Sequence, residues 1–295
     1  MARETFGAID IGSNTIKLKI MKKEYEKDIH NFIEILNSKI PIRLGEDVFN
    51  DGFIGKEKES HLIEIFKEIS FSFKENNVND YRAYATSAFR EASNGKDIIK
   101  RIKKQYDINI EIINEATEAD LIYEVSSQNH LIDKSKSYLY VDVGGGNTKV
   151  IVYSNGEKIC SRSFKIGTVR LLSDTVQLSE ITLFKMWLKG MSQTHSISAI
   201  IATGGNINTI DELFLEDDKH KIDYFSLKKI FDNLQFMNIE QRIETYNLSK
   251  YRADVILPAL YIFLIVSEAI QVSSYIIPKI ELVDGIMYEI VNKED

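Results

Sequence analysis

The sequence is poor in several features that would place it in large protein classes. It carries one cysteine, Cys160, in 295 residues, so no disulfide can form within the chain. With no second cysteine and no histidine beside it, Cys160 reads as a buried or inert thiol rather than a nucleophile. The five histidines show no metal-ligand spacing. No stretch is simple in composition, and no short-period repeat of the solenoid kind runs through the chain. Excess positive charge is lacking as well. A formal net charge of -7 argues against a general electrostatic grip on nucleic acid or anionic lipid, so no nucleic-acid partner is expected. It leaves small anionic ligands open, because a few local amides and cations outweigh a diffuse negative field. The beginning lacks a basic-then-apolar leader pattern, since the apolar run from Phe6 stops at Asp10. Residues 255–266 form the longest uncharged apolar run, closed off by Asp254 and Glu268. A spanning helix needs about 20 such residues, so a buried central helix, no membrane partner and a cytoplasmic location are expected.

What is present has the balance of a globular protein, with 44% hydrophobic and 27% charged residues. The length suits two domains, 1–125 and 126–295, with the polar stretch 129–137 near their boundary and the final helix packing back toward the first domain. Residues 5–9 and 15–20 read as strands around a tight turn, and 33–42, 81–85 and 108–113 as further strands. Helical spacing is seen at 62–73 and 89–92, and at 115–126, which starts with acids as a helix N-terminus favours. In the second half, strands are expected at 138–141, 149–153, 197–202 and 275–280, and helices at 181–188, 226–236, 239–246, 254–272 and 284–292.

The most informative feature is an internal repeat. Asp10-Ile11-Gly12-Ser13-Asn14-Thr15 and Asp142-Val143-Gly144-Gly145-Gly146-Asn147-Thr148 share Asp, aliphatic, Gly, a short insert and Asn-Thr. Each lies between two strands. Small residues in a strand-turn-strand leave consecutive backbone N–H groups able to cradle an anion, and Gly permits close approach. Hydroxyls of Ser13, Thr15 and Thr148 and amides of Asn14 and Asn147 add donors. An Asp at the strand end repels phosphate unless a hard divalent cation lies between them, as Mg²⁺ does. The plainer alternative is an Asp that caps a turn.

The order of motifs resembles the exopolyphosphatase and guanosine pentaphosphate phosphatase family, within the wider actin, sugar-kinase and heat-shock-chaperone ATPase superfamily. The resemblance rests on Ala8 through Thr15, Arg43-Leu44-Gly45-Glu46, Ala85-Thr86-Ser87-Ala88-Phe89-Arg90-Glu91-Ala92 and Glu118-Ala119-Asp120-Leu121. It continues through Val141 to Gly146, Gly167-Thr168-Val169-Arg170, Thr203-Gly204-Gly205 and Arg252-Ala253-Asp254, in family order over nearly the whole chain. It implies an α/β fold of two actin-like (ribonuclease H-like) domains, mixed sheets flanked by helices, with the active-site cleft between them. It implies that Glu118 is the general base, that Asp142 and Asp10 hold Mg²⁺ or another divalent cation, and that Arg90 clamps a phosphate. Gly12, Ser13, Asn14, Thr15, Gly144, Gly145, Gly146, Asn147 and Thr148 would bind phosphate. Arg43 and Arg170 are weaker candidates of the same kind, and Glu46 reads equally as a solvated loop acid. A homodimer is a further expectation from the resemblance.

The chain departs from the family pattern in places. Where the family's second loop continues Gly-Gly-Gly-Ser-Thr-Glu, this chain has Gly146-Asn147-Thr148-Lys149, which reverses a charge associated with the metal. Turned inward, Lys149 would repel Mg²⁺ and attract polyphosphate; turned to solvent, it would matter little. Asn114-Glu115-Ala116-Thr117 replaces a segment where the family commonly has Ser-Gly and acids, and Val283-Asp284-Gly285 lacks an arginine often found there. The expected activity is Mg²⁺-dependent release of terminal phosphate from inorganic polyphosphate or guanosine pentaphosphate. The alternatives are a catalytically weak or inactive sensor of those anions, and an ATP-dependent kinase or ATPase.

Overall fold

A computed structural model describes residues 4–26, 29–126, 129, 131–215 and 220–292. Residues 127, 128 and 130, in the expected boundary region, lie outside the described set. The chain divides into two compact units, residues 1–125 with 282–295, and residues 126–281.

The first unit opens with β1 (Thr5–Ile11), β2 (Thr15–Glu26) and β3 (Ile29–Pro41), followed by α1 (Leu44–Asp51) and α2 (Lys56–Glu75). It continues with β4 (Asp80–Ala85), α3 (Ser87–Glu91), α4 (Gly95–Tyr106), β5 (Glu111–Ile112) and α5 (Glu115–Ser126). The sheet order among the described residues is β3-β2-β1-β4-β5. The first three strands form an antiparallel meander, and β4 and β5 add in parallel beside β1. β1 is buried along its whole length because it is the central strand and is covered on both faces, which explains its apolar run. A Cβ on Gly7 would sit 2.8 Å from the Phe73 ring, so glycine lets α2 close on the sheet. The expected strand at 108–113 shrinks to two residues, since Ile108, Ile110 and Ile113 are buried by packing rather than by ladder pairing.

The second unit contains β6 (Ser137–Val143), β7 (Thr148–Ser154), β8 (Glu157–Phe164), α6 (Thr168–Leu172), α7 (Leu178–Thr194), β9 (Ile197–Thr203) and α8 (Gly205–Phe214). β10 (Lys221–Asp223), α9 (Tyr224–Gln235), α10 (Ile239–Tyr246), α11 (Lys250–Ala253), α12 (Ile256–Ile270) and β11 (Ser274–Ile276) complete it. Its sheet order is β10-β11-β9-β6-β7-β8. Apart from β10, this repeats the first unit: an antiparallel meander of three strands, then two parallel strands beside the first of them. The two mixed sheets with their helices are the α/β architecture expected of paired actin-like domains. The segment 250–270 is long and apolar enough to cross a membrane, but most of it is buried. In this unit α12 packs against α7, α8 and α9 and fills the core, which accounts for an apolar surface on nearly every side. Cys160 is half-buried with its sulfur 3.7 Å from Met191 Sδ, and burial pushes the thiol up.

The chain then returns to the first unit as α13 (Leu282–Asn292). Two polar contacts fix it there. Lys19 Nζ lies 2.6 Å from Asp284 Oδ1, and the Tyr84 hydroxyl donates to Glu289 Oε2 at 2.8 Å. A Cβ on Gly285 would come within 2.4 Å of the Leu121 carbonyl oxygen, so glycine permits the close approach of α13 and α5.

Candidate active-site elements

The first loop joins β1 to β2. Its turn is closed by the Gly12 N–H donating to the Thr15 carbonyl at 3.0 Å. Ser13 is buried, with its hydroxyl 2.7 Å from the Ser87 hydroxyl at the start of α3. The Ser13 carbonyl accepts from the Gly45 N–H at 2.8 Å, and the Asn14 carbonyl accepts from the N–H groups of Ile42 and Arg43. Arg43, in the left-handed region at φ 52°, also donates from Nε to Asn14 Oδ1 at 3.3 Å. The segment 43–46 therefore holds the loop from outside, and Arg43 is engaged in that bracing. Glu46 is half-exposed and pairs with Lys58 at 3.0 Å, as a solvated acid would.

The second loop joins β6 to β7, and its turn repeats the same bond: Gly144 N–H to the Asn147 carbonyl at 3.0 Å. The ladders on either side also coincide. Ile11 pairs with Ile16 and Asp10 with Lys17; Val143 pairs with Thr148 and Asp142 with Lys149. Both loops thus match residue for residue at one offset (142 − 10 = 132). This corrects the alignment read from sequence, which placed Asn147-Thr148 on Asn14-Thr15 with an insert. Asn147 corresponds to Thr15, Thr148 to Ile16, and Lys149 to Lys17.

That register changes two assignments. Thr148 occupies a core-facing position, fully buried, and its hydroxyl donates to the Ile166 carbonyl at 2.6 Å. Asn147 is buried and donates from Nδ2 to Ser163 Oγ at 3.0 Å. Both side chains fasten the loop to its surroundings instead of presenting donors to a phosphate. The bracing continues behind them. Thr168 N–H and Val169 N–H donate to the carbonyls of Gly144 and Gly145, and Arg170 Nε donates to the Gly146 carbonyl at 2.7 Å. Arg170 is buried in this role. Gly167 is required by contact, since a Cβ there would lie 2.3 Å from the Gly145 carbonyl oxygen. With the carbonyls turned toward this brace, no described hydrogen bond uses the N–H groups of Gly145 and Gly146, and the same holds for Ser13 N–H. These are donors an anion can take.

Glu118 lies in the first turn of α5 and is almost wholly buried, 1% exposed, where a solvated acid would have been the plain reading. Asn114 caps the helix by accepting from the Thr117 N–H at 2.9 Å. Arg90, from α3, donates through Nη1 to both the Glu118 carboxylate and the Ile113 carbonyl, the latter at 2.8 Å. Its Nη2 is buried and makes no hydrogen bond, with Glu115 Oε1 3.7 Å away. The expected base and the expected clamp are therefore one ion pair. The pair is invisible as such in the sequence, since nothing local links α3 to α5.

The two aspartates are occupied by ammonium groups. Lys17 Nζ lies 3.4 Å from Asp10 Oδ2, and Lys149 Nζ lies 3.0 Å from Asp142 Oδ2. Asp142 Oδ1 also lies 3.2 Å from the Thr203 hydroxyl, which donates to Tyr140 at 2.6 Å. Burial, and then the charge on Asp142, push the Tyr140 phenol well above its ordinary range. Mg²⁺ bound to Asp142 would face the Lys149 ammonium at about 4 Å, a repulsion of roughly 8 kcal/mol at an effective dielectric near 20. Among the described residues no three His, Cys, Asp or Glu side chains group as a metal site. The Asp142–Lys149 pair therefore does not fit the divalent cation that Asp142 was expected to help hold.

Behind this loop, Gly204 adopts φ +108°, and a Cβ there would lie 2.7 Å from the Val143 carbonyl oxygen. A Cβ on Gly205 would lie 2.8 Å from Arg252 Nη2, and Arg252 Nη1 donates to Asn206 Oδ1 at 2.6 Å. Gly204 thus opens room for the backbone of the second loop and Gly205 for Arg252.

Comparison with known proteins places this geometry. The profile of the Ppx/GppA phosphatase family matches residues 24–294. Exopolyphosphatase 1 of Mycobacterium bovis is 24% identical over 204 residues, covering 66% of this chain and 57% of that protein. A bifunctional 3-dehydroquinate synthase/phosphatase of Fusobacterium nucleatum is 27% identical over 282 residues, covering 85% of this chain and 41% of that protein. The chain thus spans about half the length of these curated relatives. Among solved structures, an exopolyphosphatase from Cytophaga hutchinsonii superposes with a TM-score of 0.85 at 23% identity, covering 98% of each chain. The Aquifex aeolicus Ppx/GppA family member gives 0.76 at 24% identity, covering 100% of this chain and 99% of the other. Both likenesses establish the fold.

Proposed function

The chain belongs to the Ppx/GppA phosphatase family, and from that premise we propose that it hydrolyses phosphoric anhydrides, releasing terminal phosphate from inorganic polyphosphate or guanosine pentaphosphate. The observation that carries this reading is Glu118, a carboxylate buried at the start of α5 and held by Arg90. Phosphoryl transfer needs positioning and charge neutralisation more than covalent chemistry. In this reading Glu118 orients a water and accepts its proton as the oxygen attacks the terminal phosphorus. The anhydride P–O bond breaks, giving orthophosphate and a chain shorter by one unit. Negative charge on the phosphoryl oxygens is met in the first unit by the Ser13 N–H, which no described hydrogen bond uses. Arg90 Nη2, buried and without a hydrogen bond, supplies a further donor.

Phosphate release from polyphosphate and from guanosine pentaphosphate, compared with Glu118→Gln, tests the assignment. Full turnover in that variant would remove Glu118 from the mechanism. A second reading, a binding sensor with little turnover, is favoured by the Lys149 ammonium on Asp142. It predicts saturable polyphosphate binding by a chain that releases no phosphate.

A further inference from the structure

The Asp142–Lys149 pair stands one rung below the second loop, directly outside the Val143–Thr148 pair that closes it. The Asp10–Lys17 pair occupies the same rung below the first loop. In each pair the carboxylate and the ammonium are largely withdrawn from solvent: the side-chain exposures are 13% and 10% in the second loop, 7% and 15% in the first. A lysine so placed is not a surface charge that drifts between partners. Its acid fixes it beside a glycine turn in which the Gly145 and Gly146 N–H groups take no described partner. The arrangement has the parts of an anion site, namely backbone donors and a positive charge held at their base, and it has them twice.

We propose that Lys149 takes the place of a divalent cation at Asp142, so that the second loop binds a phosphate chain through an ammonium and needs no metal to do so. The inference rests on the phosphate-binding reading of the loops and goes beyond it. An aspartate at a strand end beside a phosphate requires a cation between them. Here the cation is covalently part of the protein, and Lys17 shows that the same fold accommodates the same pair at the other loop. Lys149 then orients to the phosphate as a point charge, and Asp142 serves to position it.

The test is equilibrium binding of inorganic polyphosphate by rapid filtration, in EDTA and in Mg²⁺, with calorimetric titration of Mg²⁺ alone as a second readout. Wild type is expected to bind polyphosphate with an affinity that changes by less than about threefold between the two buffers. It is also expected to give no saturable Mg²⁺ heat. Lys149→Gln should weaken binding in EDTA by about tenfold or more, the worth of a charge-assisted hydrogen bond, and Lys149→Arg should retain most of it. If Lys149→Gln unfolds because Asp142 is left buried without its counter-ion, the double change Asp142→Asn with Lys149→Gln removes both charges and replaces it. Lys149→Glu should bind Mg²⁺ saturably and bind polyphosphate only when Mg²⁺ is present. Wild-type binding that requires Mg²⁺, or a Lys149→Gln chain as tight as wild type in EDTA, overturns the inference and leaves the phosphate reading standing. No polyphosphate binding in either buffer overturns both.

Discussion

Arg90 and Glu118 stand 28 residues apart in sequence and meet as an ion pair, with the carboxylate side chain 2% exposed and the guanidinium 19%. Arg90 also ties the end of β5 through the Ile113 carbonyl. Removing the guanidinium leaves a buried carboxylate without its counter-ion. Arg90→Met is therefore expected to destabilise the first unit by roughly 3 kcal/mol. Adding Glu118→Gln to it should recover part of that loss. Urea unfolding of the two single variants and the double variant measures the coupling; additive losses would mean the pair contributes nothing.

Gly167 makes a sharper prediction about the second loop. A Cβ there meets the Gly145 backbone at 2.3 Å, and backbone cannot rotate away as a side chain can. Gly167→Ala should displace the turn, cost about 2–3 kcal/mol, and weaken polyphosphate binding together with stability. Gly190→Ala, where a Cβ meets nothing within 4 Å, is the matched control and should do neither. Thermal unfolding and filter binding on both variants check this.

The fold was legible because its signals are local. The helices at 115–126 and 239–246 have the bounds expected from periodicity and capping, Asn238 and Gln241 forming a reciprocal cap at the second. Other elements were not read. β8 alternates weakly because it is an edge strand with exposed polar residues, and the periodicity of α4 is obscured by the lysines that crowd its outer face. The site divides along the same line. Asp10, Asp142 and their glycines could be found as a repeated string, yet matching Asn-Thr with Asn-Thr shifts the second loop by a residue. Only the ladder shows that Thr148 belongs with Ile16. The direction of Lys149 was undecidable for a physical reason: β7 is buried on both faces, so the neighbours Thr148 and Val150 give no alternation to say which way it points. Arg90 with Glu118, and Ser13 with Ser87, depend on contacts between elements distant in sequence.

The buried Thr148 hydroxyl separates structure from binding. Thr148→Val keeps the shape and loses the 2.6 Å bond to Ile166. It should cost about 1–2 kcal/mol and leave polyphosphate affinity unchanged. A Thr148→Val chain of normal stability with impaired binding would return Thr148 to the phosphate site.

Lys19 anchors α13. Burial alone would pull its pKa down, but Asp284 and Glu34 together outweigh that and raise it above its ordinary value. A lysine whose folded pKa is raised contributes stability that is fully present below the unfolded value of about 10.4. The contribution is lost as pH rises through the folded pKa. The stability difference between wild type and Asp284→Asn should therefore be constant near neutrality, about 1 kcal/mol after allowing for solvent screening. It should shrink only in strongly alkaline buffer. Guanidinium unfolding of both chains as a function of pH checks the sign; a difference that shrinks on acidification toward pH 6 would contradict it.

The most direct measurement of the central claim is phosphate release from long-chain polyphosphate under single-turnover conditions, wild type against Glu118→Gln, with binding measured in parallel. Glu118 as the base predicts a rate lower by about 100-fold or more in the variant, at an affinity close to that of wild type. Equal release by the two chains would contradict the account.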